Sequence, residues 1–245
     1  MDAWTAAACG ALSAALTGVV LLQAARLQRA IQLAERHRAL PLFQRRRPGA
    51  PLRILLLGDS TGVGVGCDPA SHSIGARLAR DWPDAEIVNA CSSGARVRDT
   101  LARVARESPQ WRRFDLVLLQ VGGNDVLRFA RLDALRRDLQ ELLARLAGIA
   151  DHVVWAGLAN VGRAPLFIPP FSWLLSGQAR RCCRLFAECA RQADVAFIDF
   201  YREPSEDPFS ADAPRYYAHD GLHPSGEAYA YCYRAMRPVI ARALA

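Results

Sequence analysis

A serine hydroxyl attacks a carbonyl only when a base stands ready to take its proton, and this chain offers both partners. Ser60 lies in "ILLLGDSTGVGVG" (Ile54 to Gly66), and His223 lies in "HDGLHPSGEAY" (His219 to Tyr229). Asp220 precedes His223 by three residues, about one helical turn, so it can accept a hydrogen bond from the far ring nitrogen and fix the tautomer. Of the other histidines, His219 is the only competitor as base. His37 falls in an arginine-rich stretch, His72 follows a loop and His152 opens an apolar run.

Attack on an ester also places negative charge on the former carbonyl oxygen, and one side-chain amide aimed there contributes about 3 to 4 kcal/mol. Asn124 follows Gly122 and Gly123 and suits that task. Gly94, in "NACSSG", suits it too, because a missing side chain leaves its N–H open to a ligand. Each residue also has a plainer reading. Ser60 could cap a helix, Asn124-Asp125 and Asp220-Gly221 could form turns, and His223-Pro224 could begin a helix. Their conjunction favours catalysis.

The glycines after Ser60 do not hold a phosphate. A Walker loop needs a lysine, and all 31 basic residues are arginine. A dinucleotide fingerprint needs glycines at relative positions one, three and six, which no start in this stretch completes. With no HExxH and no clustered Cys/His pattern, neither a metal nor a cofactor is expected. The glycines read as a tight turn beneath Ser60.

These residues need a scaffold that gathers them, and the apolar pattern supplies one. Short runs, nearly all apolar, occur at Leu52 to Gly58, Ala85 to Ala90, Asp115 to Gly122, His152 to Leu158 and Val195 to Phe200, as expected of strands buried on both faces of a parallel sheet. Helical patterns alternate with them at about Ser73 to Trp82, Val97 to Glu107, Leu132 to Ala147 and Gln178 to Ala193, with a last one after Pro224. This order predicts a three-layer, doubly wound α/β domain over residues 52–245, with function at the carboxyl ends of the strands. Three blocks, Gly58-Asp59-Ser60, Asn89 to Gly94 and Gly122 to Asp125, end such runs, and a fourth, His219 to Tyr229, leads into the last helix.

In that order and spacing the blocks resemble the SGNH (GDSL-type) hydrolases, a family of serine esterases and lipases on a flavodoxin-like five-stranded parallel sheet. The resemblance covers roughly residues 52 to 240. It implies Ser60 as nucleophile, His223 as base and Asp220 as its orienting acid. It further implies an oxyanion hole from the N–H groups of Ser60 and Gly94 and the side chain of Asn124. The Thr61 to Gly66 stretch is richer in glycine than in many relatives, which leaves the acyl pocket undefined.

The long connection "LANVGRAPLFIPPFSWLLSG" (Leu158 to Gly177) is apolar, proline-containing and irregular through its first half; a loop of that length usually has a purpose. Phe167, Phe171 and Trp173, with Ile168, Leu174 and Leu175, are expected to line an acyl pocket or rest on a membrane, or else only to cover the end of the sheet. Medium acyl esters or lysolipids would suit such a site. Acyl transfer to an alcohol would use the same residues, and a catalytically silent lipid-binding module is the alternative outside catalysis.

At the N-terminus no charged residue occurs for 23 positions, Ala3 to Ala25, enough to cross a hydrocarbon core of roughly 30 Å. Residues 1–25 therefore read as a membrane helix and 26–51 as a basic juxtamembrane stretch ending in the proline-rich linker "PLFQRRRPGAP". A signal peptide would want a positive start and a small-residue cleavage site, neither of which stands out. The charge of +7 is uneven: seven arginines against Asp2 and Glu35 leave +5 in residues 1–50 and about +2 elsewhere. Placed after the span, they predict a cytoplasmic catalytic domain, against the alternatives of a periplasmic one or of an arginine-rich helix lying on anionic headgroups. No nucleic-acid partner is expected. The seven cysteines form no CxxC pair, so a disulfide framework is not expected either.

Overall fold

The computed structural model describes residues 3–38, 42–67 and 69–245. The side chains at positions 34–38, which include Arg36, His37 and Arg38 of the arginine-rich stretch, fall outside the described residues.

Five parallel strands form one sheet: β1 (Leu52–Gly58), β2 (Ala85–Cys91), β3 (Phe114–Gln120), β4 (Ala150–Ala156) and β5 (Ala196–Ile198), in the order β2-β1-β3-β4-β5. Ile54 to Leu57 on β1 are wholly buried because both faces of the strand are covered. Leu55 and Leu57 meet one core, under helices α4 (Val97–Glu107), α6 (Leu132–Ile149) and α7 (Phe171–Gln192). Ile54 and Leu56 meet the other, under α3 (Ile74–Asp81) and α10 (Gly226–Ala243). This is the three-layer α/β/α arrangement that the apolar runs imply. The strand order reverses between β1 and β3, and a crevice opens at the carboxyl ends of such neighbours.

The helix expected from Gln178 begins seven residues earlier, at Phe171, directly after the Pro169-Pro170 pair. Of the long connection only residues 158–170 lie outside α7, and within them Val161–Arg163 form a 3-10 turn. All seven cysteines are free, and Cys182 and Cys189 on α7 pack into the core as small apolar groups.

Helix α1 (Ala3–Arg38) runs for 36 residues, about 54 Å at 1.5 Å per residue. By length and composition alone, Ala11–Leu33 is long and apolar enough to cross a membrane. Residues 11–22 are exposed, apart from half-buried Val19. The stretch read as linker is partly packed: Arg45 makes an antiparallel bridge to Ile87 on β2, and its guanidinium donates to the carbonyls of Ala79, Trp82 and Ala85 at 2.9, 2.5 and 3.0 Å.

Candidate active site

Strand β1 delivers Ser60 to the crevice. Asp59 caps the single-turn helix α2 (Ser60–Val63): its carboxylate accepts from the Thr61 N–H at 2.9 Å and the Thr61 hydroxyl at 2.8 Å. The N-cap suspected at Ser60 thus belongs to Asp59, which frees the Ser60 hydroxyl. Below it, buried Asn89 on β2 donates to the Gly62 carbonyl at 3.0 Å and accepts from the Cys91 N–H at 3.0 Å, tying α2 to the sheet.

His223 Nε2 stands 3.0 Å from Ser60 Oγ, and its Nδ1 stands 2.5 Å from Asp220 Oδ2. The segment carrying them is a turn, not the helical turn inferred from the three-residue spacing. Asp220 Oδ1 accepts from the N–H groups of Leu222 and His223, each at 2.9 Å, so one carboxylate both shapes the backbone and holds the ring. Helix α10 starts only at Gly226, capped by Ser225, whose hydroxyl accepts from the Ala228 N–H at 3.3 Å. The glycine-rich loop packs directly against this turn. At Gly66 (φ +91°) a Cβ would lie 2.3 Å from the Pro224 carbonyl oxygen, so no larger residue fits.

Burial pushes the Asp220 carboxyl up, but the hydrogen bond and charge of His223 and the two N–H donors outweigh it and hold the group below the usual carboxylate range. An ionised Asp220 can stabilise an imidazolium as it forms. His219, the competing base, is exposed and lines neither cavity at Ser60.

Gly94 and Asn124 face the same cavity as Ser60 and His223. At Gly94 (φ +80°) a Cβ would meet only the tip of Arg128, at 3.9 Å, so the space beside this backbone is open. The Asn124 amide uses one N–H on the Ala95 carbonyl at 3.1 Å, which orients the group and leaves its second N–H for a ligand. The loops are pinned together by Asp125: buried, it accepts from the Val97 N–H at 3.0 Å, 28 residues away. Asn124-Asp125 is therefore not the local turn it could have been. Burial pushes the Asp125 carboxyl up to about 6.

The arrangement has a serine hydroxyl on an imidazole, a carboxylate behind it and unengaged amide donors beside it. A family model described as the GDSL-like lipase/acylhydrolase family matches residues 56–231. The chain belongs to that family. It is accordingly a carboxylic ester hydrolase of the GDSL type. Solved structures share its fold. A member of the lipolytic protein G-D-S-L family from Veillonella parvula DSM 2008 is 15% identical, with a TM-score of 0.61 over 78% of this chain and 99% of that one. The psychrotrophic esterase EstA from Pseudoalteromonas sp. is 19% identical, TM-score 0.56, covering 78% and 97%. A catalytic mutant of the acetylxylan esterase Axe2 from Geobacillus stearothermophilus is 20% identical, TM-score 0.57, covering 79% and 95%. Among curated proteins no match was found.

Two cavities of this GDSL-type hydrolase meet at Ser60 and His223. One, about 160 Å³, is apolar and lined in part by Leu158, Phe200, Phe209, Tyr216 and Tyr217. The other, about 430 Å³, is lined in part by Phe167, Gly94 and residues of α1. Phe167 lines the larger cavity, whereas Phe171 and Trp173 line neither. Trp173 sits on the outer face of α7, 67% exposed, because the helix turns it away from the sheet, while Leu175 takes the core position. The aromatic wall of the smaller cavity was not foreseen. It comes from the short helices α8 (Pro208–Ala211) and α9 (Ala213–Tyr216), where Phe209 and Tyr216 stack edge to face at 5.2 Å; the aromatics of "DPFSADAPRYY" just before His219 were its only signal.

Proposed function

We propose that this protein hydrolyses esters with an apolar acyl part through an acyl-enzyme on Ser60. The observation that carries the reading is the continuous relay from Ser60 through His223 to Asp220, with gaps of 3.0 and 2.5 Å. In the first half-reaction Ser60 Oγ bonds to the acyl carbon and its proton passes to His223 Nε2. The oxyanion is met by the N–H groups of Ser60 and Gly94 and by Asn124. Collapse expels the alcohol, which takes the proton from His223. In the second half-reaction, water gives a proton to His223 and attacks the acyl carbon; the Oγ–acyl bond then breaks, His223 returns the proton to Ser60 Oγ, and the carboxylic acid leaves. Among the described residues neither the Ser60 N–H nor the Gly94 N–H donates to a protein acceptor, which supports their role. The apolar walls of the smaller cavity favour an acyl chain over a sugar-like group.

The test is turnover of p-nitrophenyl esters by the full chain, together with labelling of Ser60 by an alkyl fluorophosphonate. Ser60→Ala should abolish both; hydrolysis that persists in Ser60→Ala would remove the proposal.

We further propose that α1 anchors the enzyme in a membrane, with the catalytic domain on the cytoplasmic side. The roughly 20 residues from 3 to 22 rise about 30 Å, the thickness of a hydrocarbon core. From Gln23 onward the same unbroken helix is bonded to the domain, which argues for its retention rather than its removal as a signal. Arginines 26, 29, 45, 46 and 47 follow the span. A reporter enzyme active only in the cytoplasm, fused at the C-terminus, should be active; activity of a periplasm-only reporter would reverse the orientation.

A further inference from the structure

Gln23 is a polar side chain in an apolar helix, and it is nevertheless buried, at 7% exposure. A buried amide is costly unless its hydrogen bonds are made, and here both ends are used. Gln23 Nε2 donates to the Leu166 carbonyl at 3.3 Å and Oε1 accepts from the Ile168 N–H at 3.1 Å. One turn on, Arg26 donates through Nε to the Leu166 carbonyl at 3.0 Å and through Nη2 to the Pro165 carbonyl. Two side chains thus grip the backbone of residues 165–168, and Phe167 between them turns into the active-site cavity.

Gln23, Arg26, Leu27, Ala30 and Ile31 recur at the spacing that places residues on one face of a helix. The polar pair at the start of this stripe fixes the rotation of α1, so the rest must face the domain. Leu27, Ala30 and Ile31 line the 430 Å³ cavity that also holds Ser60, Gly94, Asn124 and His223. Ala30 is buried, at 5% exposure, while Leu27 and Ile31 remain 43% and 47% exposed. A bare anchor needs neither the grip nor an apolar wall at the reacting serine. The smaller cavity shares Ser60, Asn124 and His223 with this one, so both open on the reacting serine.

We propose that Leu27, Ala30 and Ile31 form the wall that holds a long apolar arm of the ester, making α1 a specificity-determining part of the active site. This rests on the ester-hydrolase reading above. Ala30 is the most informative position: a large side chain there intrudes on the cavity from a helix surface, far from the sheet core.

The experiment uses the full chain in phospholipid vesicles and two substrate series. Acyl length is varied in p-nitrophenyl esters from acetyl to dodecanoyl, and alcohol length in acetate esters from ethyl to dodecyl. For Ala30→Phe, the ratio of kcat/KM for the longest to the shortest member should fall about tenfold or more in one series, the scale on which pockets discriminate chain length. Gln23→Ala/Arg26→Ala, which releases the grip, should lower the same ratio. A smaller change in both series overturns the proposal. If the wild-type chain turns over no ester, the hydrolase reading fails on its own. The wall is then read by equilibrium binding of dansyl-undecanoic acid to Ser60→Ala protein, where adding Ala30→Phe should weaken binding about tenfold. Unchanged binding overturns it.

Discussion

The strand-end loops and helix α1 border the same cavity and are attached in opposite ways. The loops carrying Ser60, Gly94 and Asn124 are cross-pinned by buried polar side chains: Asp59 within α2, Asn89 beneath it and Asp125 across to Val97. The Asn89 and Asp125 bonds join segments already fixed by the sheet, and the Asp59 bond holds the turn at Ser60. Helix α1 touches the loop of residues 165–168 through two side chains, and its residues 11–22 are exposed apart from half-buried Val19. The chemistry is thus built on the rigid part, where small displacements of reacting atoms are costly. The fit to the substrate is built on a part that can be re-aimed by a few residues.

Variants that break the rigid side should have the largest effects. Ser60→Ala and His223→Ala should each lower kcat on the order of 10⁴-fold or more, and the double variant should lose no more than either alone. Losses that multiply in single-turnover kinetics would show that the two do not act as a unit. Next comes Asn124→Ala, with a fall in kcat of about 10²- to 10³-fold; steady-state kinetics showing a rise in KM alone would move Asn124 from the oxyanion to ground-state binding.

Asp125 separates positioning from chemistry. Replacing it with Ala removes the acceptor for the Val97 N–H and should cost about 1 to 3 kcal/mol of stability, read by urea unfolding. Its pH dependence has a definite sign. Folded Asp125 keeps its proton up to about pH 6, whereas in the unfolded chain it ionises near 3.9. Between those values the folded state binds more protons, so this group's contribution to stability falls as pH rises. Asp125→Asn should abolish that decline between about pH 4 and 6, and a slope equal to wild type would sink the assignment. The α1 variants complete the series with the mildest effect, a shift in chain-length preference.

The rigid half of the comparison was largely legible in the sequence, because its signals are local. A nearly all apolar run that ends in Asp59-Ser60, or in Gly122 to Asp125, marks a strand and its functional end together. Asp220 and His223 were legible as partners, although the reason given was wrong: spacing of three suggested a helical turn where an aspartate-capped turn does the work. The second wall of the site was not legible. Leu27, Ala30 and Ile31 look like any apolar residues of an apolar helix, and the partners that orient them lie about 140 positions away. Trp173, expected at an acyl pocket, on a membrane or over the end of the sheet, stands on an exposed helix face. A helix starting seven residues earlier than its apolar periodicity suggested rotates that side chain outward.

Residues 42–47 show a further economy of this chain. In a sheet of this kind, β2 is an edge strand with unpaired N–H and C=O groups that could template pairing with another molecule. Arg45 occupies that edge with reciprocal 2.9 Å bonds to Ile87, while its guanidinium caps three more carbonyls. At the opposite edge β5 is only three residues long. The segment that tethers the domain to its helix thereby also covers part of the sheet's edge against side-by-side pairing with another copy.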